Sequence, residues 1–306
     1  MPASAAVTGT EFFGPWEQVI SDRDTAIASI TQMLDLATSK RTLAWRGVVK
    51  AEYPLHSSLY RHLLVPGRPT PDEEDVAKFE GHMLDRGRRE WRFDNLSALE
   101  LLAHLQHYGG PTRLIDVTFN PFVALWFAVE QKFAEFGIAL PDDSDARLFA
   151  FDVTGREIGL DDRWGGRELP WAKDPGDGWR NKLPSIWRPP SYNERIPAQN
   201  SAFLVGGIPQ VKAGDNAKNY RKAPGDGTSR GTWTSAEVRS ATSVTTRMNK
   251  ADRKPQARAT PTFTLRIEAA AKPQLRQFLE KSFGYSAATL YPDLFGLAKH
   301  VTNGLR

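Results

Sequence analysis

The stretch that decides the fold reads Thr42-Leu-Ala-Trp-Arg-Gly-Val-Val49. Its residues alternate as in a β-strand, so that Trp45 and Gly47 fall on one face and Arg46 falls on the other. Arg46 is the only charged residue of this strand. A guanidinium fixed on a strand suits the oxygens of a phosphate, and a neighbouring glycine lets a ligand approach the backbone. Arg46 is therefore a candidate site residue, with a structural ion pair as the alternative.

Helices and further strands surround this strand in an irregular order. Capping signals at residues 97–100 and 120–121 predict two helices, with a short extended piece over 112–117 between them. Alternating apolar residues predict later strands over 146–153, 202–208 and 262–268. Strands on both sides of a helical middle indicate an α+β fold, a mixed sheet of several short strands with helices packed around it.

The 306 residues predict one main domain over 14–306, after a flexible N-terminus over 1–13. Residues 212–260 are polar and rich in Gly, Ser and Thr, which predicts one long, mobile, basic loop insertion. Between Lys212 and Arg258, eleven Lys or Arg residues stand against four Asp or Glu, although the whole chain has a net charge of only +4. This segment favours a polyanionic partner, and a solvated loop is the alternative.

The composition excludes several classes of site. The chain has no cysteine, which rules out disulfides, thiolate nucleophiles and cysteine ligands for zinc. The N-terminal residues lack the features of a signal peptide, and the longest apolar run, Phe122 to Val129, is too short to span a bilayer. We therefore expect a cytoplasmic protein with no membrane contact.

A second polar segment, from His104 to Thr118, crosses a helix end, a Gly-Gly-Pro turn and a short strand. Asp116 stands among apolar residues there and needs a partner, which Arg113 or Arg46 can supply. The alternative is an ion pair that only stabilises the turn.

Helical spacing would also allow a metal site at Glu100, His104 and His107. No HExxH motif supports it, and a solvated helical face is favoured, so no metal is predicted.

These polar residues belong to four ordered blocks that resemble the FRG domain family, which takes its name from an aromatic-Arg-Gly triplet, here Trp45-Arg46-Gly47. The blocks comprise residues 45–47 with 53–61, 107–128, 193–203 and 290–298.

The resemblance implies a relation to ADP-ribosyltransferase-like folds, in which an arginine of the first strand orients NAD and a later acidic residue supports attack at the nicotinamide ribose. Arg46 fits the first role, and Asp116 or Asp293 fits the second. The remaining candidates for NAD binding are Trp45, Gly47, His107, Tyr108, Arg113 and Gln199.

We therefore expect an NAD-dependent ADP-ribosyltransferase-like enzyme, a toxin or phage-defence effector that modifies a nucleic acid or protein acceptor. The alternatives are a non-catalytic nucleotide- or nucleic-acid-binding module and an interaction scaffold.

Overall fold

In a computed structural model, the described residues form a mixed sheet of eight strands. The residues described are 7–38, 41–134, 138–161, 163–172, 179–180, 182–212, 220–222, 231–250, 260–294 and 296–298. The strands are β1 (Glu17–Ile20), β2 (Leu43–Val48), β3 (Ile115–Thr118), β4 (Ala146–Asp152), β5 (Glu157–Ile158), β6 (Ser185–Trp187), β7 (Ser201–Val205) and β8 (Thr262–Ile267).

The helices lie against and around this sheet. They are α1 (Gly9–Phe13), α2 (Arg23–Thr38), α3 (Ser58–Leu63), α4 (Glu73–Arg89), α5 (Ala98–His107), α6 (Pro121–Val129), α7 (Arg195–Gln199), α8 (Ser235–Ala241), α9 (Lys272–Phe283) and α10 (Ala287–Leu290). Among the residues described, no helix is long and apolar enough to cross a lipid bilayer.

The strand order is β1-β8-β4-β2-β3-β7-β6-β5. The pairs β1–β8 and β5–β6 are parallel, and the other pairs are antiparallel. This architecture confirms the predicted α+β class. Strands β2 and β3 are neighbours in the middle of the order, so the central Arg46 strand and the Asp116 strand lie side by side.

Both faces of the sheet are buried, and β2 contributes to each. Trp45 belongs to the core that joins the sheet to α2, α6 and α9, whereas Ala44 belongs to the core on the opposite face. Helix α6 crosses β2 so closely that a Cβ on Gly47 would lie 1.9 Å from the carbonyl oxygen of Ala124. Gly47 is therefore required for the packing of α6, whose backbone approaches it closely.

The N-terminal segment differs from its prediction. Residues 7–13, the part of it that is described, end in helix α1, which Thr8 and Glu11 cap reciprocally. Phe13 is fully buried and packs edge-on against Phe149, with 4.9 Å between ring centroids. Flexibility is therefore wrong for this part, because its aromatic side chains fill the core beneath β4.

The basic segment also contains ordered structure that the composition did not reveal. Thr234 caps α8, Val238 is buried, and the residues from 241 to 246 are buried as well. Residues 231–250 are therefore not the loop that the polar composition predicts, since small polar residues such as Ser and Thr also pack well when their hydroxyls are bonded. Residues 213–219, 223–230 and 251–259 of the predicted insertion lie outside the described part.

Candidate functional site

A cleft of about 680 Å³ opens where β2 and β3 run side by side. Ligand pockets typically have volumes of about 300–1,000 Å³, so the cleft can hold a nucleotide-sized molecule. Strand β2 contributes residues 45–48 and β3 contributes residues 116–118. Side walls come from α5, α6, α7 and the loop after α10 through Gln106, His107, Phe127, Arg195, Gln199 and Tyr291.

Arg46 lies in this cleft with its guanidinium held in place by the neighbouring strand. Its Nη1 donates a hydrogen bond of 2.6 Å to the backbone carbonyl of Asp116 and lies 4.0 Å from a carboxylate oxygen of the same residue. Burial lowers the pKa of Arg46, the Asp116 carboxylate opposes this change, and the nearby cation of Arg61 adds to it. The group remains a cation, since an arginine pKa starts above about 12.

Asp116 lies at the more open side of the cleft, and 69% of its side chain is exposed. It is the one exposed residue between the buried Ile115 and Val117, because successive side chains of a strand point to opposite faces. Gln106 donates a hydrogen bond of 2.7 Å to its carboxylate. Of the two predicted partners, the structure brings Arg46 to Asp116 and not Arg113.

Arg113 lies in the protein interior, away from the cleft, with 1% of its side chain exposed. It forms ion pairs with Glu73 at 2.8 Å and Glu80 at 2.6 Å, and its guanidinium lies 4.4 Å from the ring centre of Trp171. The prediction that Arg113 binds a cofactor is not supported by this position, because the guanidinium is enclosed by carboxylates and a tryptophan. Its role in the structure is to join α4 to the segment before β3.

Asp293 does not line the cleft, but it forms an ion pair with Arg195, which does. Its Oδ1 accepts hydrogen bonds of 2.7 Å from Arg195 and from the backbone N–H of Gly296. The hydrogen bond from Arg195 holds the pKa of Asp293 below its ordinary value. His107 lines the cleft nearby, with its Nε2 3.9 Å from Asp293, and burial together with the cation of Arg195 lowers the pKa of His107.

Tyr108 points into solvent and is 85% exposed. It contacts His107 edge-on at 5.0 Å but does not line the cleft. Trp45 borders the cleft, yet it is only 1% exposed, because its ring packs in the hydrophobic core. Stacking of either ring on a ligand is therefore not supported by these positions.

Gln199 lines the cleft, and its side-chain amide donates a hydrogen bond of 2.7 Å to the carbonyl of Leu290. Of the helical residues considered as metal ligands, Glu100 completes the cap of α5 with Ser97, and His104 stacks on Tyr192. Nowhere in the described ranges do three His, Asp or Glu side chains come together as metal ligands.

Several cleft residues were not singled out from the sequence. Arg61 and Arg195 bring further cations, while Phe127, Tyr192 and Tyr291 bring aromatic surface. Both arginines fall inside the blocks quoted for the family resemblance, so their membership of those blocks was the available signal.

The described lining carries a clear excess of positive charge. Arg46, Arg61, Lys132 and Arg195 stand against the single carboxylate of Asp116. Lys132 and Arg195 are paired with acidic neighbours, whereas Arg61 has no acidic group within ion-pair distance in the described part of the chain. A cationic cleft with aromatic walls suits an anionic ligand that contains a planar ring, because guanidinium groups bind phosphate oxygens and aromatic side chains stack on rings.

Comparison with known families matches residues 41–136 to the FRG domain. This range contains Arg46, Arg61 and Asp116, whereas the walls from α7 and Tyr291 lie beyond it. Neither a comparison with curated proteins nor one with solved structures gives a match.

Proposed function

We propose that this chain, whose residues 41–136 match the FRG domain, is an NAD-dependent ADP-ribosyltransferase-like enzyme whose substrates meet in the cleft beside β2 and β3. The observation that carries the proposal is the guanidinium of Arg46, fixed on a central strand beside an exposed carboxylate. Arg46 is anchored through one nitrogen at 2.6 Å, which leaves its other N–H groups to bind phosphate oxygens.

Asp116 is the better candidate for the acid of the reaction. Its carboxylate is exposed at the cleft, 4.0 Å from Arg46. Asp293 already accepts hydrogen bonds from Arg195 and a backbone N–H, and it does not line the cleft. An anion that is free to face the ligand can stabilise positive charge on a ribose, and Asp116 meets this requirement.

In the proposed reaction, the bond between C1′ of the nicotinamide ribose and the nicotinamide nitrogen breaks, and the electron pair leaves with nicotinamide. The positive charge that develops at C1′ is stabilised by the carboxylate of Asp116. An acceptor nucleophile then forms a bond to C1′ and releases its proton to solvent. The products are nicotinamide, one proton and the ADP-ribosylated acceptor, which can be protein or nucleic acid.

The experiment is to incubate the protein with NAD and measure released nicotinamide by chromatography, with water or added protein or nucleic acid as the acceptor. We expect Asp116→Asn to lower release by about 100-fold or more while NAD still binds, since a charge-stabilising group is typically worth about 10²–10³ in rate. Asp116→Asn is expected to fold normally, because its side chain is mostly exposed.

Two results would replace the proposal. If NAD binds but no nicotinamide is ever released, the chain is the non-catalytic nucleotide-binding module. If Asp116→Asn only lowers the melting temperature and the wild type does not bind NAD, the polar residues serve the fold alone, as in an interaction scaffold.

A further inference from the structure

A second, smaller hollow lies next to the cleft, and we call it the side hollow. Its volume is about 210 Å³, and it extends towards the start of α3 and the turn at Gly109 and Gly110. Among the described residues, four line both spaces and form the wall between them: Arg46, Arg61, Gln106 and Asp116. The two spaces therefore meet at a wall that carries two guanidinium groups and one carboxylate.

The two arginines of this wall are held in the same way. Arg46 donates through Nη1 to the carbonyl of Asp116, and Arg61 donates through Nη1 to the carbonyl of His56, both at 2.6 Å. Neither guanidinium makes another hydrogen bond in the part of the chain that is described. A guanidinium has several N–H groups in a rigid fork, so both side chains are fixed at one nitrogen and can still bind a ligand.

The charges of the wall are not balanced by the protein. The Asp116 carboxylate is mostly exposed and lies 4.0 Å from Arg46, which is longer than a hydrogen bond. Burial lowers the pKa of Arg46, the Asp116 carboxylate opposes this change, and the like charge of Arg61 lowers the pKa further, as expected for two neighbouring cations. Burial lowers the pKa of His56 to about 4, so this neighbour is neutral and adds no charge. An anion that touches both guanidinium groups would relieve the repulsion.

We propose that Arg46 and Arg61 together bind a diphosphate on this wall, so that a dinucleotide spans the cleft and the side hollow. This inference rests on the proposed function for the identity of the dinucleotide, and it adds Arg61 and the side hollow to the binding site. The larger cleft takes one nucleoside half and the side hollow takes a smaller part of the other half. Asp116 borders both spaces and so lies beside the ligand where it crosses the wall.

The test is calorimetric titration at low salt with inorganic phosphate, inorganic pyrophosphate and ADP-ribose. The variants are Arg61→Met, which removes the charge, and Arg61→Lys, which keeps the charge without the fork. Arg68→Met is the matched control, since Arg68 is exposed a few residues further along the chain and lines neither space. Melting temperatures without ligand show whether each variant is folded, and Arg61→Met is expected to fold because Arg61 is exposed.

We expect pyrophosphate to bind the wild type more tightly than phosphate does. Arg61→Met should weaken pyrophosphate and ADP-ribose by about 10- to 100-fold, the range for losing charge-assisted hydrogen bonds. The affinity of Arg61→Lys for these ligands should lie between those of the wild type and Arg61→Met, and the affinity of Arg68→Met should match that of the wild type. Equal affinities in Arg61→Met and wild type, or no pyrophosphate binding at all, would overturn the proposal.

The outcomes for the two proposals can be told apart. If pyrophosphate binding needs both Arg46 and Arg61 but NAD is never consumed, the diphosphate site stands and the transferase function fails. If NAD is consumed in an Arg46-dependent way and Arg61→Met consumes it with the same KM, the transferase stands and the diphosphate pair fails.

Discussion

Replacing Arg113 by Met tests whether this residue holds the fold, as its position indicates, or binds a cofactor. Its guanidinium donates to Glu80 at 2.6 Å and to Glu73 at 2.8 Å, and all three side chains are buried. Met has a similar length but leaves two carboxylates in the interior without their cation. Removing one partner of a buried ion pair typically costs about 3–5 kcal/mol of folding free energy, and we expect a loss of this size.

The loss of folding free energy in Arg113→Met should depend on pH, because the buried carboxylates that lose their cation are titratable. Burial raises the pKa of Glu80 above its ordinary value, and Arg113 opposes this change. Without Arg113 the folded-state pKa rises further, so the ionised form is penalised above the pKa of the unfolded chain. The destabilisation in Arg113→Met is therefore largest near pH 7 and shrinks as the pH falls through about 4.5, below which Glu80 becomes protonated in the unfolded chain as well.

The assay is urea unfolding of wild type and variant across this pH range. The control is Arg86→Met on α4, which removes an exposed ion pair with Glu90 and should leave the unfolding midpoint close to that of the wild type. An additional Glu80→Leu change in Arg113→Met should recover part of the loss, because one uncompensated charge is removed. The reasoning is refuted if Arg113→Met unfolds like the wild type, or if its deficit does not diminish at low pH.

Three further predictions concern the cleft and its support. Gly47→Ala would place a Cβ 1.9 Å from the Ala124 carbonyl, so α6 must shift and stability should fall by at least about 3 kcal/mol in urea unfolding; a near-neutral effect would contradict the close crossing. Burial lowers the pKa of His56 to about 4, so the free energy of unfolding should fall by roughly 3 kcal/mol as the pH falls from about 6.5 towards 4. His56→Gln should remove this pH dependence, and a variant with the same pH profile as the wild type would contradict the prediction. Tyr108→Ala should leave the affinity for NAD unchanged in titrations, because the ring faces solvent. A tenfold loss of affinity would indicate that Tyr108 contacts the ligand.

The features that were predicted correctly depend on local periodicity and capping. Strand β2 and the alternation around Asp116 follow from a period of two residues, and the start of α6 follows from Asn120, whose side chain caps it. These signals lie within a few residues of the element that they specify. The central strand, the helices beside it and the candidate Arg46 could therefore be identified from the sequence.

The features that were missed depend on contacts between distant parts of the chain. Arg113 finds its partners 33 and 40 residues earlier, on α4, and nothing in its own neighbourhood indicates them. The contact between Gly47 and α6 was also missed, because a glycine in the sequence does not indicate whether a ligand or another helix approaches its backbone. Tyr108 follows a helix end, where the direction of the chain is set by Gly109 in a left-handed conformation, with φ of 86°.

The positive charge of the cleft could not be predicted from the sequence either. Arg61 lies in the short α3 and Arg195 lies in the short α7, yet both reach the space beside Arg46. Only the order of strands β2, β3 and β7 brings these segments together. A family resemblance groups such residues in the sequence, but their common cleft emerges from the fold.

Titration of NAD into wild-type protein and Arg46→Met, followed by calorimetry, tests the central claim most directly. The account predicts saturable binding to the wild type, a loss of about 10- to 100-fold or more in Arg46→Met, and full binding in the Arg68→Met control. If Arg46→Met binds NAD as tightly as the wild type, or if the wild type does not bind NAD at millimolar concentration, the cleft beside β2 is not an NAD site.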